Sequence, residues 1–344
     1  MKKKLAYIGM ASLLLSFTAC ESGTNEFPDF DYQTVYFASQ YGLRTLELGE
    51  DEFADNSLDN QHKCVIKAAW GGGYTNRNNV IIDFIVDNAL CDNLYFKGTN
   101  NPVKVMPANY YSLASNQINI PKGEVMGGVE VQFTDAFFED PLTTDTTYVI
   151  PLRMTDVQGA DSILQGKADV ENPILQNANH WTKQPKNFVL YAVKYVNPWH
   201  GEYLRRGIDQ AMINGEPKEI VRHAQYVEKD EVVKTSTQSL KDNILSLSTK
   251  DAAGQAFNYQ LKLTFDDNNQ CSVTAGSDNV SATGTGKFVK RGDKNSLGGK
   301  DRDVIYLDYS VEFLNKNMQY ATKDTLVLRT RGVQGGAPFE VEYR

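Results

Sequence analysis

Histidine and cysteine are scarce in this chain, four of each among 344 residues, and neither is grouped at metal-ligand spacing. No Cys-x-x-Cys pair and no Cys/His cluster occurs, so a structural zinc site has no support. No Ser or Cys nucleophile with an orienting acid can be matched to His200. No catalytic set is recognised and no cofactor or metal is expected. A surplus of positive charge is lacking too, with 35 Lys and Arg against 43 Asp and Glu. Neutralising phosphates with Lys and Arg supplies most non-specific affinity for nucleic acid, so nucleic acid is not an expected partner. Also missing is an apolar run of about 20 residues, the length needed to span a bilayer core.

The apolar run that is present is short, and its position gives it meaning. Met1-Lys2-Lys3-Lys4 precedes an apolar stretch from Leu5 to Phe17, and Thr18-Ala19-Cys20 follows. A basic start, a short hydrophobic segment and small residues before a cysteine describe a secretory signal ending in a lipobox. The expectation is a signal peptide over residues 1–19, a lipid-modified Cys20 at the mature N-terminus and a polar stalk over residues 20–32. Removing residues 1–19 takes away three lysines and moves the formal charge from −8 to −11. Anionic lipid head groups then have little to attract them, and the acyl chain is left as the membrane contact.

About 325 residues remain, more than one hydrophobic core usually serves, which points to two domains. Cys64, Cys91 and Cys271 are the remaining thiols. Export permits a Cys64–Cys91 disulfide, while burial as free thiols fits each equally.

From Thr34 onward the pattern has period two, and no convincing amphipathic helix interrupts the first half. Tyr148, Ile150, Leu152 and Met154 share one face of a predicted half-buried strand, and Pro151 within it suggests a sheet edge or a bulge. Residues 80–86 and 116–123 give two more strand candidates. Residues 158–187 carry Gly159, Gly166, Pro173 and Pro185 and read as a long loop or insertion. Strand character returns at 188–196, and Asn197-Pro198 marks the expected boundary between domains at 33–197 and 198–344.

Alternation is cleaner in the second half. Phe257, Tyr259, Leu261, Leu263 and Phe265 alternate with polar residues, as do Ile305, Leu307, Tyr309, Val311 and Phe313. Asp266 to Asn269 and Asn315 to Asn317 supply turns between consecutive strands, which favours hairpins. Roughly eight to ten such strands predict an up-and-down antiparallel sheet closed into a barrel, because closure removes exposed edges.

Tyr110-Tyr111-Ser112-Leu113, Ile120-Pro121-Lys122-Gly123 and Tyr148-Val149-Ile150-Pro151-Leu152, together with the lipobox, resemble the N-terminal β-sandwich domain of Bacteroides lipoproteins. That domain is also found at the start of Bacteroides endo-β-N-acetylglucosaminidases. The stretch from Val193 to Gly207 resembles a lipocalin-like C-terminal domain of unknown function that often follows it. The resemblance implies an all-β chain, an immunoglobulin-like β-sandwich followed by a lipocalin-like antiparallel β-barrel. It further implies an outer-membrane lipoprotein, at the cell surface, in a system that uses polysaccharide or host glycan, with a SusD-like protein as a candidate outer-membrane partner. No Asp-x-x-Asp-x-Asp-x-Glu run occurs, so the glycosidase activity is not carried over.

Two loops have the chemistry of a glycan site, which needs aromatic faces for the sugar's CH surface and polar side chains for its hydroxyls. In the first, Trp70, Tyr74, Asn76 and Arg77 surround three glycines, although Trp70 equally suits a strand end packed in the core. In the second, Lys300, Arg302 and Asp303 sit on an expected barrel-mouth loop, which equally suits an ordinary solvated hairpin. Trp199 opens the barrel, where it is expected to plug the closed end beneath Arg329 or Arg331 by a cation-π contact. The preferred expectation is a non-enzymatic binder of extracellular glycan. The alternatives are a carrier of a small apolar ligand in the barrel and a structural or adhesin subunit of an outer-membrane complex.

Overall fold

The computed structural model describes residue 30 and residues 32–51, 54–333 and 338–344. The expected signal peptide, Cys20 and most of the stalk lie outside the described residues. The chain is all-β apart from short 3-10 turns and, among the described residues, two short helices, Ser57–Asn60 and Asp135–Glu139.

The N-terminal body is built from β1 (Thr34–Tyr36), β2 (Leu43–Glu47), β3 (Lys63–Gly71), β4 (Val80–Val86), β5 (Leu94–Phe96), β6 (Lys104–Val105), β7 (Tyr111–Leu113), β8 (Gln117–Ile120), β9 (Met126–Phe133), β10 (Tyr148–Gln158), β11 (Ser162–Ile163), β12 (Lys167–Ala168), β13 (Trp181–Lys183) and β14 (Phe188–Val196). One leaf runs β11-β1-β3-β9 and the other β8-β4-β10-β14-β2. They meet where Asn119 of β8 pairs with Gly128 of β9. A side chain at the neighbouring Gly127 would sit 2.0 Å from the Asn119 carbonyl oxygen, so only glycine lets the leaves join there. Between the leaves lies an apolar core that includes Ile66, Ile82, Val131, Ile150 and Leu152.

Two expectations for this body change. Strand β10 is neither an edge nor half-buried: β4 and β14 flank it, and Val149 and Pro151 on its second face are as buried as Ile150 and Leu152. Pro151 is tolerated because β4 pairing ends at Leu152 and β6 pairing ends at Val149, so the missing N–H falls in the gap between them. The Pro151 carbonyl still accepts from Asp87 N at 2.9 Å. The segment at 158–187 is likewise no structureless loop. It completes β10, adds β11 to β1, and folds β12 onto β13.

The second body contains β15 (Gly201–Ile213), β16 (Glu216–Arg222), β17 (Glu231–Thr237), β18 (Asp242–Lys250), β19 (Ala256–Phe265), β20 (Gln270–Ala275), β21 (Val280–Asp293), β22 (Arg302–Phe313) and β23 (Met318–Thr330). Neighbours pair antiparallel from β17 to β23, and β23 pairs back to β15 along its length, which closes an eight-stranded barrel. Strand β15 is long enough to pair with β17 over Gly201–Arg205 and with β16 over Gly207–Ile213. The alternating apolar residues of β19 and β22 all point inward. Asn269, Asn315 and Asn317 take left-handed φ values in the turns, as asparagine does readily. The Asp266 carboxylate caps its own turn by accepting from Asn268 N and Gln270 N.

The chain's last strand leaves the barrel. Strand β24 (Val341–Tyr343) pairs antiparallel with β5 on the N-terminal body. There Phe339, Val341 and Tyr343 help cover a second apolar cluster built on Val149, Phe188 and Leu190. That cover is why β10 is buried on both faces.

Candidate functional site

The two sequence-predicted loops end up in different settings. Trp70 is 3% exposed and packs in the N-terminal core, so its ring is not available to stack on a sugar. Asn76 is fully buried, its amide donating to the carbonyls of Pro121 and Glu124 at 3.1 Å. Both leave the candidate set, because a side chain that holds the fold from inside offers a ligand nothing. Tyr74, 68% exposed, and Arg77 remain on the surface.

The second loop faces a cavity. Lys300, Arg302 and Asp303 line a cleft of about 570 Å³ where the barrel meets the N-terminal body. Across from them stand Glu47 and Glu50, carried by β2 and the turn after it. Glu50 pairs with Lys290, and Asp303 accepts from the Arg291 backbone N–H at 2.7 Å. Lys294 holds Asp301 at 2.8 Å, and the Arg302 Nε donates to the Leu297 carbonyl at 3.0 Å. The result is a trough lined by charged side chains of both signs beside the apolar Ala54, Leu328 and Val333.

Arg331 bolts the two bodies at the floor of this trough. It is 7% exposed; its Nε donates to the His200 carbonyl at 2.9 Å and its Nη2 to the carbonyls of Leu48 and Asn197 at 3.0 and 2.8 Å. The expected cation-π plug is therefore replaced: Trp199 stacks face to face on Phe265, with centroids 4.1 Å apart, and Arg331 spends its donors on backbone oxygens. Arg329 pairs with Glu202 at 3.0 Å on the surface. Asn197, read from sequence only as a boundary, is fully buried and binds Ser239 O, Asp242 O and Asn243 Oδ1 from its amide.

Two titratable groups flank the bolt with opposite perturbations. Burial, reinforced by the Asp51 carboxyl and opposed by Arg331, pushes Glu47 up to about 7. Its Oε1 lacks a hydrogen-bond partner and lies 3.6 Å from Arg331 Nε. Burial, then the nearby charges of Lys234, Arg331 and Lys194, holds His200 down to about 4. The Thr237 N–H donates to His200 Nδ1 at 3.2 Å, so the neutral ring carries its proton on Nε2. Sequence reasoning weighed His200 only as an acid or base and missed Glu47 altogether.

The barrel interior is occupied by side chains. Arg205, 3% exposed, donates to Asp324 at 2.9 Å and to the Tyr309 hydroxyl at 3.3 Å, and Tyr309 donates to Asp324 at 3.0 Å. Arg222 reaches in from β16 to Asp324 at 2.6 Å and to Asp209, which also accepts from Thr322 at 2.7 Å. An apolar ligand in this barrel would have to displace a buried ionic cluster. The three thiols are free and buried, and burial pushes each up to about 12. Among the described residues no group of three His, Cys, Asp or Glu could hold a metal ion, and no helix is long and apolar enough to cross a membrane.

Residues 198–332 match a family described as a domain of unknown function (DUF5627), and residues 30–161 match a family described as an N-terminal domain. A Bacteroides ovatus protein of unknown function, solved by crystallography, is 65% identical, with a TM-score of 0.89 over 92% of this chain and 100% of that one. The chain belongs to that protein's family. Its barrel is the DUF5627 domain, and the DUF5627 match ends at Gly332, just past the Arg331 bolt. Weaker likenesses extend to a multidomain protein including DUF1735 from Bacteroides ovatus (10% identity, TM-score 0.42, 86% and 94% of the two chains). Another is an auxiliary nutrient binding protein from Bacteroides thetaiotaomicron (15%, 0.35, 83% and 90%). Likeness at that level has no bearing on the function of this chain. No curated protein matches it.

Proposed function

We propose that the chain is a non-catalytic, lipid-anchored protein of the outer membrane that binds extracellular glycan in the cleft between its two bodies. The observation that carries this reading is the trough of about 570 Å³ in which Lys300, Arg302 and Asp303 of the DUF5627 domain face Glu47 and Glu50. A saccharide presents a rim of hydroxyls that both donate and accept, and walls of mixed donors and acceptors suit it. The lipobox at Cys20 and the resemblance of both halves to Bacteroides lipoproteins support the location. A SusD-like protein is a candidate partner on the same grounds.

Glycan-array screening and affinity-gel retardation of residues 21–344 test the binding. Retention by a defined glycan, lost in Arg302→Ala, is the expected result; no retention across host and plant glycans removes the proposal. For the anchor, mass spectrometry of the mature N-terminus should find an acylated Cys20, and an unmodified chain starting elsewhere would exclude it.

One observation favours a second reading, glycoside hydrolysis: a carboxyl held near 7 in a cleft is the signature of a general acid. Glu47 is only 8% exposed, however, and points at Arg331, so the trough favours binding over proton delivery. Product release from labelled oligosaccharide that disappears in Glu47→Gln would establish hydrolysis instead.

A further inference from the structure

The Gly332–Val333 segment has a cavity on each side. The trough lies on one; on the other is a larger cavity of about 890 Å³, again lined from both bodies. Lys194 of β14 enters it from the N-terminal body, and Lys234 of β17 from the barrel. Among the described residues neither lysine makes an ion pair. His200 lines the same cavity, with its Nδ1 occupied by the Thr237 N–H. The hydroxyls of Thr45 and Ser236 line it as well.

Two acids, Asp145 and Asp242, line the cavity as well, and neither pairs with Lys194 or Lys234. The Asp242 carboxylate is taken by Lys262 at 3.1 Å and the Thr264 hydroxyl at 2.7 Å. Asp145 is exposed. Two like charges thus face one cavity from opposite bodies, with a neutral ring between them that offers an N–H without adding a third charge. With Asp242 already engaged by Lys262, the two ammonium groups are left as donors without an acceptor of their own. What completes the arrangement is a negatively charged oxygen group, which takes charge-assisted hydrogen bonds from both lysines and a neutral one from the imidazole.

We infer that this cavity is an anion subsite that receives the carboxylate or sulfate of an acidic saccharide. The inference rests on the glycan reading above and narrows it, since Gly332 and Val333 line both this cavity and the trough. The Lys194 and Lys234 ammonium groups hold the anion, and His200 orients it through Nε2.

Calorimetric titration of the mature protein with three probes tests it: neutral N-acetylchitotetraose, a hyaluronan tetrasaccharide bearing carboxylates, and a keratan sulfate oligomer bearing sulfate without uronate. Binding of either acidic probe at least about tenfold tighter than the neutral one is expected, with that advantage shrinking at high salt. Which acidic probe wins identifies the group. Lys234→Gln, an exposed position whose replacement leaves the fold intact, should abolish the advantage, and Lys194→Gln should do the same. Equal affinity for all three probes, no binding to any of them, or an advantage that survives in both variants overturns the inference. An array that retains only neutral glycans overturns this inference and leaves the glycan reading standing, whereas an empty array overturns both.

Discussion

The two bodies of this chain solve the problem of an interior in different ways. The sandwich closes over an apolar core, and its most deeply buried carboxylate, Asp59, sits at the margin of that core, paired with Arg44 and capped by the Glu47 N–H. The DUF5627 barrel is apolar toward its ends but holds Arg205, Asp209 and Asp324 at mid-height, each 3% exposed. The difference teaches where each body is brittle. Losing a methylene from the sandwich core costs packing alone. Losing one partner from the barrel cluster unbalances a buried network of charges, Arg205 and Arg222 against Asp324 and Asp209.

The sharpest way to break that comparison is to cut the cluster. Arg205→Ala takes the guanidinium from one Asp324 oxygen and from the Tyr309 hydroxyl while Arg222 still holds the other oxygen at 2.6 Å, and breaking a buried ionic network in this way should cost about 3 kcal/mol. Ile82→Val in the sandwich should cost only about 0.5–1.5 kcal/mol. Denaturant unfolding of both variants checks the contrast, and equal losses would show that the barrel cluster is solvated. Next in size is the bolt. Arg331→Ala removes three hydrogen bonds from one cation, about 2–4 kcal/mol after water replaces part of them. Because those bonds tie Leu48 to His200 and Asn197, calorimetry should show the melting split into two transitions; a single transition would show that the remaining ties, β24 and the Glu50–Lys290 pair among them, couple the bodies without the bolt.

Junction chemistry sharpens the comparison further, since Glu47 belongs to the sandwich and His200 opens the barrel. Glu47 is raised from 4.5 to about 7, so its contribution to stability is full below pH 4.5 and is lost as pH rises through 7. His200 is lowered from 6.5 to about 4, so its contribution is present above pH 6.5 and is lost as pH falls through 4. In the parent the two slopes oppose each other between pH 4.5 and 6.5. Relative to the parent, Glu47→Gln should lose stability as pH falls through that window, and His200→Gln should gain it, on the order of 1–3 kcal/mol each. Melting temperatures measured from pH 4 to 7.5 decide it, and parallel curves for both variants would remove the assigned perturbations.

Legibility in the sequence followed regularity. The barrel was readable because its strands are long, alternate strictly and are joined by Asn-rich turns, so local pattern and final structure agree. The sandwich was harder to read because its strands are short. In addition, β10 is covered on its second face by β5 and β24, which lie about 50 residues before it and almost 200 after it, and no local pattern reports a contact at that range. Pro151 misled as to the edge, because the gap between β4 and β6 that accommodates it is tertiary, while the irregularity it also suggested lies three residues on, where the β10 register against β4 shifts between Met154 and Asp156. At the site, composition marked Lys300, Arg302 and Asp303 as a cluster, but Glu47 and Arg331 acquire their roles only when the bodies meet. Alternation alone also hid the barrel cluster, because Arg205, Asp209 and Asp324 occupy inward positions that the period-two rule reserves for apolar residues.

The smallest expected effect separates the two halves of the Trp70–Arg77 loop. Trp70 lies in the core, and its truncation to Ala should cost about 3–5 kcal/mol, as large buried aromatics do. Tyr74, four residues on, is 68% exposed, and Tyr74→Ala should change stability by less than about 0.5 kcal/mol. Because glycan is assigned to the junction, Tyr74→Ala should also leave affinity-gel retardation unchanged. Retardation lost in Tyr74→Ala with stability intact would move the glycan site to the sandwich end and turn the trough into a purely structural seam. The variant that disturbs the fold least is therefore the one that decides which body carries the function.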